Sequence, residues 1–388
     1  MSVAGLLGRI PMSMVTLGVT LLVVQRSTSY ALAGAVTGTQ TLAMALVAPY
    51  GSRLADRWGQ TRTLPLLVGV HAVFLLLLLT AILRGWAWFT WIGLAAGAGA
   101  SLPMMGAMVR ARWSEMIPDP GVRSSAFALE SAADEVALIV GPLLASALAF
   151  GVSPAWAVLA AVGLLLVGGV GLAVQGGTAP RPGAPRRREG GRPLRQAGMP
   201  EMAALMLFVG GVFGSFQVST VAFGQASDPA WTGGLLAAFS VGSLTSGLWL
   251  AARRRDWSLT WQVRVALVTL TVTLVPLTLV RVPLGFAPIA VLAGLSVSVV
   301  MVGAFGLVER LVPESRVTES LSSVTAAVAL GMSAGSWLGG LAVDTQDASL
   351  GFAMCVTSAG LAAVVMWLSS GRLRALERRA DHVEPVVA

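Results

Sequence analysis

Apolar residues run along this chain in stretches long enough to cross a bilayer, separated by short polar breaks. A helical span needs about 20 mostly apolar residues. Read this way, the chain predicts spans at 3–25, 30–50, 63–83, 87–109, 124–149 and 154–175. A second set follows at 201–223, 231–251, 262–281, 284–308, 319–342 and 348–370. Between the sets lies 176–200, rich in Gly, Pro and Arg. Such a stretch cannot bury a core and reads as a flexible linker. The expected fold is all-α: a polytopic membrane protein of two six-helix bundles, 1–175 and 201–371, with a cytoplasmic tail at 372–388.

Composition narrows the class. Of 388 residues, 55% are hydrophobic and 11% charged, and the mean hydropathy is +0.79. Soluble domains carry about 25% charged residues, so a water-soluble surface is excluded. All 26 basic residues are Arg, and 22 of them fall in segments on one side if the N-terminus faces the cytoplasm. That asymmetry predicts cytoplasmic termini and linker in a cell membrane. Arg26, Arg84 and Arg281 fall outside. Trp86, Trp88, Trp91, Trp156 and Trp231 sit at outer span ends, and Trp58, Trp113, Trp257 and Trp261 at inner ends, the depths of an aromatic belt. The basic clusters lie between spans rather than on a soluble face, which argues against nucleic acid as a partner. A lone Cys355 and only two histidines, His71 and His382, exclude a Cys- or His-based metal centre. No cofactor and no catalytic site is expected. The N-terminal apolar run, with no cleavage signal after it, reads as the first span.

The halves echo one another. Gly51-Ser-Arg-Leu-Ala-Asp-Arg57 lies over Gly247-Leu-Trp-Leu-Ala-Ala-Arg253, Ile117-Pro118-Asp119 over Val312-Pro313-Glu314, and Gly141 over Gly335, all at nearly one offset. Repeats of the same orientation are related by an axis along the membrane normal, with a substrate site between them near mid-bilayer.

The segment Ser52-Arg-Leu-Ala-Asp56-Arg57-Trp-Gly59-Gln60-Thr-Arg62-Thr-Leu64 resembles the signature loop of the major facilitator superfamily, G-x-L-A-D-R-x-G-R-R/K-x-x-L. Leu54, Ala55, Asp56, Arg57, Gly59 and Leu64 match. Ser52 stands for the first Gly, and Gln60 and Thr61 for the basic pair. The resemblance implies a twelve-span transporter in which Asp56 is a latch closing the inner side, held by the start of the eleventh span and by an Arg ending the fourth. Arg110 and Arg112 end the fourth span here, and Arg57 and Arg62 complete the inner gate. The warrant is the attraction of a helix N-terminus for negative charge.

The fifth span carries three carboxylates, Glu130, Asp134 and Glu135. An ionised group near mid-span costs at least ~2.5–3.5 kcal/mol, so such acids are paired, water-lined or protonated. At 100° per residue, Glu130, Asp134, Gly141 and Ala145 share one face and Glu135 leaves it. Gly141-Pro142 resembles the antiporter motif G-x-x-x-G-P-x-x-G-G of the same superfamily, with Ala137 for the first Gly and Ala145-Ser146 for the closing pair. That resemblance tilts transport towards export. Arg9, in the first span, counts to the same depth as Glu130. The first and fifth helices are neighbours in the superfamily, which implies an Arg9–Glu130 or Arg9–Asp134 pair. The paired acid would be a structural charge, and the acid left without an Arg would carry the proton. A static ion-pair network is the alternative. Residues 92–109 hold no charge, so the fourth span lacks the buried Arg of many proton-coupled exporters.

The second half is sparse. Phe213, Phe216 and Gln217 are candidates for a cavity wall, and His71 for a proton relay. The expected function is proton-coupled export of small apolar or amphiphilic molecules by alternating access. The expected partners are a small-molecule substrate, protons and the lipid bilayer, and the expected state is a monomer. Import or facilitated passage of a metabolite is the alternative. A non-transporting sensor is more remote, since no segment is long enough for a soluble domain.

Overall fold

The computed structural model describes residues 1–180, 183, 196, 198–252, 258–313 and 316–383. Thirteen long helices follow in chain order. They are α1 (Ser2–Ser27), α2 (Tyr30–Trp58), α3 (Gln60–Leu83), α4 (Trp88–Ser101), α5 (Met105–Met116), α6 (Pro120–Gly151) and α7 (Pro154–Ala173). Then come α8 (Met199–Ser227), α9 (Thr232–Ala252), α10 (Leu259–Leu274), α11 (Pro283–Leu311), α12 (Val317–Thr345) and α13 (Ala348–Val383). No strand occurs among the described residues. Counted as membrane-length apolar segments these make 12 spans, α4 and α5 sharing the fourth. The chain is a multi-pass membrane protein.

Three elements differ from the sequence reading. The fourth span is broken at Leu102-Pro103-Met104. Pro103 has no N–H to give the preceding turn, and it pushes Leu102 into extended backbone (φ −65°, ψ 120°). The ninth span stops as an α-helix at Leu274 and tightens into a 3₁₀ turn over Val275–Thr278, at Pro276. The tail expected from 372 is helical as far as Val383. Most of the 176–200 linker lies outside the described residues, as do Arg181, Arg186, Arg187, Arg188, Arg192, Arg195, Arg253, Arg254, Arg255, Trp257 and Glu314.

The chain forms two compact units: Met1–Arg187 with Val221–Ala237, and Arg188–Thr220 with Ala238–Ala388. The sequence placed Val221–Ala237 wholly in the second bundle. The boundary crosses α8 after Thr220 and α9 after Ala237.

In the first unit α1 is the central helix, packed on α7, α6 and α2. Small residues set these approaches, as in other membrane bundles. A Cβ at Gly168 of α7 would lie 2.4 Å from the Gly8 nitrogen of α1, and one at Gly99 of α4 would lie 2.0 Å from the Gln40 carbonyl oxygen of α2. Met14, Leu17, Val23, Leu75 and Leu165 are buried in the interior. Trp91 belongs to this core, only 5% exposed, and so is no belt residue. Trp86, Trp88, Trp156, Trp231, Trp58 and Trp261 are exposed.

In the second unit α8 and α12 interlock through glycines. A Cβ at Gly210 or Gly214 would meet the Val328 or Met332 carbonyl oxygen at 2.1 Å, and one at Gly335 would meet the Gly211 oxygen at 2.4 Å. Gly141 of α6 makes the matching approach to α1, where its Cβ would lie 2.9 Å from the Ile10 oxygen. The aligned glycines thus pack the fifth helix of each half on the first helix of the same half. Arg281 donates to Asp347 across two loop ends, 3.0 Å. Its guanidinium holds that carboxyl below the usual carboxylate range, so the pair keeps its charge at any pH above that range.

Candidate functional site

Four charged side chains meet where α1, α5 and α6 converge. Arg9 lies about two turns into α1, just before Pro11. Its Nη2 reaches Glu130 Oε2 of α6 at 2.5 Å, and its Nη1 donates to the Glu130 carbonyl oxygen at 3.3 Å. The same guanidinium puts Nε 3.2 Å from Asp134 Oδ1, one turn further along α6. That contact is an ion pair without hydrogen-bond alignment. Asp134 Oδ2 takes its hydrogen bond from Arg110 Nη2 of α5, 2.6 Å. Two further donors complete Glu130: Ser2 Oγ at 2.8 Å and Trp113 Nε1 at 3.0 Å, both to Oε1.

Local sequence explains the convergence. Glu130 and Asp134 are four residues apart and so share a helix face. Gly106 of α5 leaves room for the charges, since a Cβ there would lie 3.2–3.4 Å from Arg110, Asp134 and Arg9 atoms. Gly141 sits further along the same face of α6, where α1 comes so close that Ser13 Oγ donates to the Ala137 carbonyl oxygen at 2.9 Å. Pro142 removes one helix hydrogen bond in that turn.

The arrangement holds two cations and two carboxylates. Its inner member is sealed: the Glu130 side chain is 0% exposed and that of Arg9 7%. Its outer member is open, with the Asp134 side chain 38% exposed and that of Arg110 32%. A buried carboxylate costs several kcal/mol unless paired and hydrogen-bonded, and Glu130 has three side-chain donors. Asp134 is shared between two arginines and faces outward. Chemically, the cluster can keep one fixed charge and exchange another.

Both pairings read from the sequence occur together, so the lack of an Arg does not tell the two acids apart: neither Glu130 nor Asp134 is left without one, and burial is what distinguishes them. The second arginine comes from span four, which is uncharged through residue 109 and interrupted at Pro103; Arg110 follows on α5. Glu135 is half-buried, one position further round α6.

The gate residues separate. Asp56, Arg57 and Arg62 are exposed at the α2–α3 corner. Gly59 makes that corner at φ +83°, a left-handed conformation that L side chains resist. No hydrogen bond or ion pair holds the Asp56 side chain among the described residues. Arg112, expected beside it, is fully buried and binds elsewhere. Its Nε donates to Gln60 Oε1 at 2.8 Å, and its Nη1 to the Gln175 carbonyl oxygen and Thr178 Oγ1, each at 2.8 Å. Gln60 also donates to the Met108 carbonyl oxygen, 3.2 Å. The Gln that departs from the family's basic pair thus ties α3 to α5.

The cavity-wall candidates are also redistributed. Phe216 is 3% exposed and packs against Phe239, Phe286 and Phe352 at ring centroid distances of 4.5–6.3 Å. It is core of the second unit rather than a wall, because rings from three other helices, α9, α11 and α13, converge on it. Phe213 stacks edge-on to Phe239 and, like Gln217, is half-buried. His71 is buried, with Nδ1 2.6 Å from the Ala98 carbonyl oxygen, a packing role at the end of α4. Beside the Pro103 break, Val47, Ser52, Leu67, Leu102, Met104 and Met108 line a small recess.

Sequence reasoning missed Glu377. It was assigned to the tail, yet it is 3% exposed. Its carboxylate accepts from the Leu259 N–H at 2.8 Å and from Thr260 Oγ1 at 2.7 Å, capping α10 from α13. Arg310 of α11 stands 3.9 Å away. This knot joins the starts and ends of the third, fourth and sixth helices of its half, as Gln60, Arg112 and Gln175 do in the other. Leu373 and Leu376, continuing a helical spacing beyond residue 371, were the available signal. Glu377→Gln is expected to lower the stability of the purified protein by about 1–3 kcal/mol, the cost of a buried charge-assisted bond replaced by weaker ones. A thermal midpoint equal to wild type would remove Glu377 from this role.

Comparison with known proteins agrees with the geometry. Residues 1–294 match the profile of the Major Facilitator Superfamily. No curated protein sequence matches the chain. A D-xylose–proton symporter superposes with a TM-score of 0.72 at 12% identity, covering 94% of this chain and 96% of that one. A nucleoside transporter gives 0.70 at 12% identity, covering 97% and 98%. An unoccupied, inward-facing bacterial homologue of the human lysosomal transporter Spinster gives 0.67 at 16% identity, covering 100% and 97%. At these identities the likeness is one of fold. The profile, the twelve spans and the signature corner at Gly59 together place this chain in the Major Facilitator Superfamily.

Proposed function

We propose that this protein is a proton-coupled exporter of small apolar or amphiphilic molecules, working by alternating access with its arginine-rich helix ends at the cytoplasm. The observation that carries the reading is the half-sealed ion cluster on α6, the helix that carries Pro142. Glu130 is its structural charge, and Asp134, the outward-facing acid shared by Arg9 and Arg110, is the proton carrier. Protonation of Asp134 frees Arg110 and one edge of Arg9, which loosens α5 from α6 and α1. Among the described residues the second half buries a single charged side chain, Glu377, and that caps α10, so the substrate is read as apolar or amphiphilic rather than charged. In the same reading Asp56, exposed and with no side-chain partner among the described residues, is the latch that engages in the outward-open state.

The test is transport in inverted vesicles under an imposed pH gradient, with a panel of hydrophobic cations, neutral antibiotics and sugars. Accumulation of apolar compounds, driven by inward acidity and reduced in a well-folded Asp56→Asn variant, is the expected result. Movement of sugars alone, or movement indifferent to the gradient, would overturn the proposal.

A further inference from the structure

We propose that Arg112 is an anchor for the linker rather than a gate residue. It pins the first turn after α7, Gln175–Thr178, across the α2–α3 corner, as a strap that brings the chain out beside Asp56.

Arg112 is a charge without a counter-charge. Its side chain is 0% exposed, no ion pair holds it among the described residues, and its Nη2 has no hydrogen-bond partner. A buried cation is costly unless paired, so the neutral groups that do hold it explain its place. They are Gln60 Oε1 at the corner and two atoms of one turn, the Gln175 carbonyl oxygen and Thr178 Oγ1, each at 2.8 Å. The Thr178 hydroxyl donates in turn to the Gln175 carbonyl oxygen, 3.0 Å, so the guanidinium grips two atoms already tied to each other. Gly176–Thr178 is a 3₁₀ turn. It is closed by the Thr178 N–H on the Gln175 oxygen at 3.3 Å and the Ala179 N–H on the Gly176 oxygen at 3.1 Å.

Two further points lay this segment on the corner. A Cβ at Gly176 would be 3.4 Å from Thr61 Cγ2, and the Gly183 N–H donates to the Asp56 carbonyl oxygen at 3.1 Å. The first compact unit accordingly runs past α7, to Arg187. A chain pinned in this way passes any pull along the linker to the α2–α3 corner instead of to the end of α7. Gln60 belongs to the same device. It stands where the family signature has a basic residue, and a basic side chain there would replace an acceptor by a second cation and repel Arg112.

The experiment reads hydrogen exchange of the peptide 174–183 by mass spectrometry, with the full chain in nanodiscs. Thr178→Val removes one acceptor and should speed exchange of the Thr178 and Ala179 amides about fivefold, the shift set by one lost net hydrogen bond. Gln60→Arg should speed it further. Thr178→Glu, which offers Arg112 the carboxylate it lacks, should slow exchange below wild type, a result that mere loosening of the fold does not give. Asp56→Asn should leave the peptide unchanged. Exchange indifferent to Thr178→Val, or sped rather than slowed by Thr178→Glu, would overturn the anchor. Exchange sped by Asp56→Asn as much as by Thr178→Val would also overturn it and return Arg112 to the gate. The readout needs no transport, so the anchor stands or falls separately from the exporter reading.

Discussion

Arg9→Leu is expected to destabilise the protein by about 3–5 kcal/mol, the cost of stripping one partner from a buried ion pair. Glu130 would keep only Ser2 Oγ and Trp113 Nε1 as side-chain donors, in a position with 0% exposure. Asp134 would lose one of its two arginines. The uncompensated charge, rather than the lost attraction, makes the change severe. It follows that Arg9→Leu combined with Glu130→Leu should be more stable than Arg9→Leu alone, because no stranded carboxylate remains. Thermal unfolding of the two purified variants decides the matter. A double variant that melts as low as the single one would show that the buried charge is not what the arginine serves.

Asp134→Asn is expected to abolish pH-gradient-driven accumulation in vesicles while changing substrate counterflow by no more than about twofold, the scale of a partly exposed isosteric change. Asn fits the same space and still accepts the Arg110 hydrogen bond through its amide oxygen. It cannot take up or release a proton. Glu130→Gln offers the contrast: it touches the sealed member of the cluster, so its effect should appear in thermal stability before coupling. If the cluster were a static network, both variants would lower the melting midpoint and leave coupling in place. Coupled accumulation by a folded Asp134→Asn protein would therefore remove Asp134 as the carrier.

Individual residues show how far sequence could reach. Glu130, Asp134 and Arg9 were legible because charges inside apolar spans are costly and must have partners, and helix periodicity put the two acids on one face. Arg110's role was hidden by Pro103: counted along an unbroken helix, it merely ends the span. Arg112 was matched to Asp56 by family pattern, whereas packing around Gln60 and the turn after α7 took its guanidinium. Phe216 looked like a cavity wall because apolar helices carry little sidedness, and only neighbouring rings reveal which face is core. Glu377 was lost among the arginines that seemed to mark a tail.

By itself the sequence determined the membrane class, twelve spans in two sets of six and the signature corner. These follow from span length, from apolar runs that no soluble fold could expose, and from short motifs read locally. The tertiary structure alone decided which arginine meets which acid and that Val221–Ala237 sorts with the first unit. The pairings join residues from 24 to 121 positions apart, Arg110 with Asp134 and Arg9 with Glu130, and their geometry is set by close helix packing that no local pattern encodes.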